Sequence, residues 1–171
     1  ASALIYRNGV EFSGRTFAPC WNPAAAVADS PGQYLYKADA DDNWTRIGAG
    51  TGTQIRGAKY FGKGRNLDGA DLFWCGYVER ADGTFGTNII ASTTDPTALA
   101  SWSSEISIGD SAYAITAIVA SEDGILICKP DGIYAYYADG TQENLASSYQ
   151  QQIHVDNYKG AIRWGSRTLL P

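Results

Sequence analysis

The dipeptide Asp-Gly recurs at residues 123, 131 and 139, each time between short runs rich in Ile, Val and Tyr. Glycine adopts a positive φ without steric cost and aspartate tolerates it, so Asp-Gly marks a tight turn between antiparallel strands. The runs between these turns have the usual strand length of about five residues, and their β-branched and aromatic side chains favour strands. The stretch 112–145 therefore predicts four antiparallel strands in a meander.

A four-stranded meander that recurs along a chain is the repeating unit, or blade, of a β-propeller. The units in this chain repeat at about 40 residues, within the range of propeller repeats. The best internal match sets residues 33–36 beside 132–136, with 4–6 as a third copy, because each places Tyr just before a polar turn. We therefore predict an all-β β-propeller, with complete four-stranded blades at about 15–48, 54–108 and 114–146.

The two ends of the chain predict half-blades, at residues 1–13 and 160–171. The first has two strands around an Asn8-Gly9 turn, and the second has two strands around Gly165-Ser166. Joined in one sheet, these halves would close a ring of four blades and leave no exposed sheet edge. The alternative is that the sequence is one part of a larger propeller. In both cases residues 1–171 form a single propeller domain or a fragment of one.

Individual strands and connections can also be assigned. The predicted strands are 17–21, 24–28, 33–37 and 44–47 in the first complete blade, and 55–61, 71–78, 87–93 and 102–108 in the second. The connections 62–70 and 94–101 are the longest insertions in the pattern. Loops that a rigid scaffold positions commonly carry recognition. The predicted binding residues in such loops are Arg65, Asn66, Thr97, Leu99 and Tyr158.

The charge of the chain bears on its partners. A net charge of −5, with only 18% charged residues, would repel a phosphate backbone overall, so we expect no nucleic-acid partner. No apolar run approaches the roughly 20 residues that a membrane-spanning helix needs, so we expect no membrane insertion.

Catalytic and metal-binding constellations are hard to find in this sequence. His154 is the single histidine, and no Gly-x-Ser-x-Gly motif accompanies it, so a catalytic triad is not expected. Cys20, Cys75 and Cys128 lie far apart in predicted strands, which favours buried, unpaired thiols over a zinc site or a disulfide.

The best candidate for a metal site is the acidic run that contains Asp39, Asp41 and Asn43, because clustered carboxylates suit Ca²⁺. The run lacks the central glycine and the distal glutamate of an EF-hand loop, so a solvated hairpin tip is the favoured interpretation. We expect no bound cofactor.

Two stretches resemble known propeller families. Residues 92–102, from Ser92 through Asp95 to Trp102, resemble the Asp-box turn of sialidase-like propellers, although the family's glycine is replaced and the Asp–Trp spacing is longer. In that family the Asp bonds the turn backbone and the Trp packs beneath it. The stretch 112–145 is similar to the blades of regulator-type and WD-like propellers, through Ile115-Thr116-x-Ile118 and through Asp131-Gly132-Ile133-Tyr134. These resemblances imply a fold and carry no catalytic residue.

A looser similarity is to propeller-like proteins of bacteriophage virions, and it implies a place in a virion or another extracellular assembly. We expect a non-enzymatic structural or interaction propeller whose partner is a protein in an assembly or a glycan. The alternatives are a carbohydrate-binding propeller, for which 5 Trp and 11 Tyr supply stacking faces, and a fragment of a sialidase-like glycoside hydrolase. A hydrolase needs two facing carboxylates, and a sialidase also needs three converging arginines, but no spacing in the sequence selects them.

Overall fold

A computed structural model describes residues 5–6, 9–21, 35–38, 45–46, 55–121, 123–146, 161–164 and 167–169. Within these residues the regular structure is all-β, with antiparallel pairing between strands, apart from a short 3-10 helix at Leu99–Ser101. The all-β prediction is confirmed at this level.

The middle sheet of the molecule is a four-stranded meander in chain order, with three long strands and one short strand. Its strands are β7 (Ile55–Arg65), β8 (Asp71–Arg80), β9 (Phe85–Thr93) and β10 (Ile106–Ser107). Successive side chains of a strand point to opposite faces. Accordingly Phe73 and Cys75 belong to one hydrophobic cluster, and Trp74 between them belongs to another.

The first connection of the middle sheet is shorter than the predicted loop 62–70, because β7 continues through Gly62 and Gly64 to Arg65. Glycine within a strand often marks a close approach by another chain segment. A Cβ on Gly62 would lie 2.6 Å from a methyl carbon of Ile118 in the neighbouring sheet. These glycines therefore accommodate sheet packing and do not form a loop.

The third sheet is a second meander in chain order, as the spacing of Asp-Gly predicts. Its strands are β11 (Ala117–Ala120), β12 (Gly124–Lys129), β13 (Gly132–Tyr137) and β14 (Gln142–Asn144). The turn at Gly140 matches the turn at Gly83 in the middle sheet, since the two glycines have φ of 84° and 85°. Each completes a three-residue hairpin loop in which a positive φ is required.

The first sheet differs from its predicted arrangement. It contains β2 (Val10–Phe12), β3 (Arg15–Ala18), β5 (Leu35–Ala38) and β6 (Thr45–Arg46) in that order, while β1 (Ile5–Tyr6) pairs with β4 (Cys20–Trp21). The predicted hairpin at Asn8-Gly9 is therefore wrong, because β1 and β2 pair with different strands. The tight turn is Ser13-Gly14, where both residues have positive φ.

Proline explains a second difference in the same region. The predicted strand 17–21 is divided at Pro19, which has no N–H to donate to a ladder, and its two parts join different sheets. The predicted strand 24–28 lies outside the described residues. Within the described residues, β2 and β5 occupy the two edges of β3.

A hairpin near the end of the sequence consists of β15 (Ile162–Trp164) and β16 (Arg167–Leu169). Trp164 pairs with Arg167, so the strands bracket the predicted Gly165-Ser166 turn.

Two hydrophobic clusters cover the two faces of the middle sheet. Phe12 and Phe17 of the first sheet pack with Phe61 and Phe73 on one face. On the opposite face, Ile118, Ile125 and Ile127 of the third sheet belong to one cluster with Trp74 of the middle sheet. The leading strands of the units also make contact in series, β2 with β7, β7 with β11, and β11 with β15. The sheets are thus stacked face to face in chain order.

Candidate functional site

A polar groove lies where the β7–β8 hairpin of the middle sheet approaches two turns of the third sheet. It consists of two cavities, of about 490 and about 660 Å³, which share Arg65 and Asp123. We call the pair the hairpin groove. Its lining residues are Lys63, Gly64, Arg65, Asn66, Leu67, Gly69 and Asp71 from the hairpin, and Ala120, Ser121, Asp123, Tyr137, Ala138, Asp139 and Thr141 from the third sheet.

The tip of the β7–β8 hairpin is shaped by Asn66. Its side-chain Oδ1 accepts a hydrogen bond from the backbone N–H of Ala70 at 2.8 Å, and its backbone carbonyl accepts one from Gly69 N–H at 3.0 Å. Aspartate and asparagine side chains commonly organise turns in this way. The arrangement leaves the amide nitrogen of Asn66 for other partners and places Leu67 at the tip with 74% of its surface exposed.

Ion pairs at the base of the hairpin balance charge within the groove. Lys63 Nζ lies 2.6 Å from Asp71 Oδ2, and Arg65 Nε lies 3.6 Å from Asp71 Oδ1. The hydrogen bond from Lys63 holds the pKa of Asp71 below its ordinary value, and the charge of Arg65 adds to the effect. With Asp123 on the opposite wall, the described lining of the smaller cavity has two cations and two carboxylates.

The aspartates of the third sheet differ in how their carboxylates are used. Asp139 Oδ1 accepts hydrogen bonds from Thr141 N–H at 2.9 Å and Thr141 Oγ1 at 2.6 Å, which lower the pKa of Asp139. Asp82 is bonded by Thr84 in the same way. The carboxylate of Asp123 accepts no hydrogen bond within the described part of the chain. It is exposed in the groove as an open acceptor.

Tyr137 contributes the aromatic side chain of the groove. Its hydroxyl donates to Glu143 Oε2 at 3.0 Å, and this hydrogen bond is the main reason that the pKa of Tyr137 is raised. Burial and the charges of nearby carboxylates, including Asp123, raise it further. The phenol therefore stays neutral at physiological pH beside the open carboxylate of Asp123.

The structure separates the predicted binding residues. Arg65 and Asn66 line the hairpin groove. Thr97 and Leu99 lie in the connection between β9 and β10, and Thr97 is not among the described lining residues of the groove. Tyr158 lies outside the described residues.

Thr97 has a structural role in its own turn. Its backbone N–H and its hydroxyl donate to Asp95 Oδ1 at 3.0 and 2.6 Å, and these bonds lower the pKa of Asp95. Trp102, at the end of the same connection, packs edge-on against Phe73 with ring centroids 6.0 Å apart. The turn is thus held by Asp95, while Trp102 packs against the core of the middle sheet.

Sequence reasoning missed the wall of the groove that the third sheet supplies, because it assigned each Asp-Gly to turn formation. A signal was present in the residue that follows. A threonine follows Asp82-Gly83 and another follows Asp139-Gly140, and in each turn the threonine hydroxyl donates a hydrogen bond to the aspartate carboxylate. Ile125 follows Asp123-Gly124 and has no hydroxyl to offer.

Lys129 and its neighbours form a second polar cluster, buried between the middle and third sheets. The Lys129 side chain is fully buried, and Nζ donates to the carbonyls of Ile108 at 2.6 Å and Asp110 at 2.7 Å. Asp131 Oδ1 lies 3.7 Å from Nζ, while Asp131 Oδ2 accepts from Tyr134 Oη at 2.8 Å. Burial lowers the pKa of Lys129, and burial together with Asp131 raises the pKa of Tyr134 to about 12.

This cluster holds the connection between two sheets. Both carbonyls that bind Lys129 belong to the segment between β10 and β11, so the side chain ties that segment to β12. The enclosed amine has its donors engaged by backbone, which indicates a structural role.

Other predicted sites lie partly or wholly outside the described residues. Asp39, Asp41, Asn43 and His154 are all in the part that is not described. Among the residues that are described, no group of three or more His, Cys, Asp or Glu could hold a metal ion. Cys75 and Cys128 are buried and form no disulfide with each other, and burial raises the pKa of the Cys75 thiol. No described helix has the length and apolar character to cross a bilayer.

No protein-family model, no curated protein and no solved structure gives a significant match to this chain.

Proposed function

We propose that this chain is a non-catalytic recognition module built as a β-propeller, with the hairpin groove as its binding site. The observation that carries the proposal is the groove itself, in which Asp123, with an open carboxylate, and the exposed Arg65 line the same two cavities from adjacent sheets. Its cavities fall within the range of about 300–1,000 Å³ that is usual for small-molecule sites.

The stacking of the sheets supports the propeller interpretation. Propeller blades are four-stranded meanders that pack face to face around an axis. The middle and third sheets are such meanders, and the middle sheet is covered on both faces. Serial contact of β2, β7, β11 and β15 is what leading strands of consecutive blades around one axis would produce.

The electrostatics of the groove support a role without catalysis. A glycosidase needs a carboxylic acid whose pKa is raised so that it can donate a proton. The pKa values of Asp71 and Asp139 are instead lowered by hydrogen bonds. Arg65 is the only arginine among the described lining residues, whereas a sialidase would bring three to its substrate.

The partner class proposed here is a protein in an assembly or a glycan that contacts the groove. A place in a virion or another extracellular assembly stays a prediction, based on the resemblance of the sequence to propeller-like virion proteins.

The test is to map where small molecules bind. Uniformly ¹⁵N-labelled protein would be screened by NMR against a fragment library of neutral, acidic and basic compounds. We expect the shifted amide signals to cluster at residues 63–71, at Ser121 and Asp123, and at 137–141. Fragment binding that clusters elsewhere would contradict the proposal. So would turnover of a chromogenic glycoside by the purified chain that one carboxylate substitution abolishes.

A further inference from the structure

We infer that the ligand of the hairpin groove is a neutral carbohydrate, held through its hydroxyl groups by Arg65, Asn66 and Asp123. This inference rests on the proposed recognition function and adds the chemical class of the ligand. It follows from the polar groups that the fold leaves unused and from the balance of charge around them.

Unused donors line the hairpin wall of the groove. Arg65 makes one long ion pair through Nε, its side chain is 65% exposed, and the residue lines both cavities. Asn66 uses its side-chain oxygen within its turn, which leaves the two donors of its amide nitrogen.

Unused acceptors line the opposite wall. Both oxygens of Asp123 are available within the described structure, and Asp139 retains Oδ2 because Thr141 binds only Oδ1. A sugar hydroxyl both donates and accepts, so a pair of adjacent hydroxyls can bridge a carboxylate on one side and a guanidinium or amide on the other. Tyr137 and Leu67 add apolar surface against which the C–H face of a sugar ring can pack.

The charges argue against the other common ligand classes. An anion would meet more carboxylates than cations, because Asp71, Asp123 and Asp139 line the groove against Lys63 and Arg65. A cation would be attracted to Asp123 and Asp139 but repelled by Arg65, which lines the same cavity. A neutral ligand rich in hydroxyls meets neither repulsion and can bond to donors and acceptors of both kinds, so it fits this lining best.

The experiment is a glycan microarray that carries neutral, sialylated and sulfated oligosaccharides, probed with the full 171-residue chain. Asp123→Asn and Arg65→Ala are the test variants. Glu11→Gln is the matched control. Glu11 lies in β2 and does not line the groove, and its substitution removes one negative charge, as Asp123→Asn does. We expect binding to neutral glycans that falls at least about tenfold in both test variants, because Arg65→Ala removes the charged donors and Asp123→Asn removes the charge and one acceptor oxygen. The control should bind like the wild-type chain.

The remaining outcomes separate the ligand class from the groove. Binding to sialylated or sulfated glycans alone, or to no glycan, would overturn the neutral-carbohydrate inference. Should a peptide or acidic fragment instead bind in a manner that depends on Arg65 and Asp123, the recognition groove would stand with a different ligand. Neutral-glycan binding that ignores both substitutions would overturn the inference and the proposed function together. Thermal unfolding of each variant should match the wild-type chain, which excludes misfolding as the cause of lost binding.

Discussion

Ile118 of the third sheet packs directly onto the bare backbone of Gly76 in the middle sheet. A Cβ placed on Gly76 would lie 2.4 Å from Ile118 Cδ1, a distance at which the atoms must move apart. A Cβ on Gly62 would lie 2.6 Å from Cγ2 of the same isoleucine. The spacing of the two sheets therefore depends on glycine at both positions.

Gly76→Ala should destabilise the protein by about 1–3 kcal/mol, the usual cost of overpacking a core. Ile118→Val removes the Cδ1 that is closest to the added methyl, so the double variant Gly76→Ala/Ile118→Val should recover part of the loss. Urea unfolding measures both effects. Gly9→Ala is the control, because its Cβ would meet only ordinary contacts, at 3.5 Å or more. Additive effects of the two substitutions would rule out the direct contact.

Lys129→Met should lower the free energy of unfolding by about 3–5 kcal/mol, because it leaves Asp131 without its cation in a buried site. The carbonyls of Ile108 and Asp110 lose their donor at the same time. Lys63→Met removes a partly exposed ion pair and should cost less than about 1 kcal/mol. If urea unfolding gave equal losses for the two variants, the buried cluster would not hold the sheets together as described.

Acid should weaken the turns that Asp82, Asp95 and Asp139 organise. Hydrogen bonds from the threonine two residues later lower all three pKa values below 3.8, so the unfolded chain takes up protons first as the pH falls. The stability from these bonds is complete well above pH 3.8 and is lost as the pH falls through the folded-state values.

Carboxyl-carbon NMR titration of the folded protein checks this directly, with midpoints expected below 3.8 for the three residues. Asp139→Asn keeps an acceptor oxygen but cannot titrate, so this variant should lose less stability in acid than the wild-type chain. Midpoints at or above 3.8 would show that the bonds do not favour the charged form.

Cys75 and Cys128 should react slowly with a thiol reagent in the native state, because both are buried and the raised pKa of Cys75 suppresses its thiolate. All thiols should react at once in denaturant. Two or more fast-reacting thiols in native protein would contradict the placement of these side chains in the cores.

Most of the strand order follows from local sequence. The Asp-Gly turns at 82–83 and 139–140 fix hairpins because their conformational preference does not depend on the rest of the fold. Local signals failed in the first sheet, where Asn8-Gly9 and Ser13-Gly14 compete as turns. Only the pairing of Val10–Phe12 with Arg15–Ala18 decides between them. Pro19 could have predicted the division of strand 17–21, because proline has no N–H to donate within a sheet.

Only half of the hairpin groove could be predicted from the sequence. Arg65 and Asn66 lie in a conspicuous connection within one hairpin, so they could be proposed from the sequence. Asp123 and Tyr137 join them through the packing of one sheet on another, and that contact depends on the glycines beneath Ile118. No spacing along the chain encodes a contact of this kind.

The most direct measurement of the proposed function is the affinity of the tightest fragment or oligosaccharide for the wild-type chain and for Asp123→Asn, by isothermal titration calorimetry. A recognition groove centred on this open carboxylate predicts at least about tenfold weaker binding by the variant, with an unchanged melting temperature, because Asn has no negative charge and has one acceptor oxygen in place of two. Equal affinities of the two proteins would contradict the assignment of the hairpin groove as the binding site.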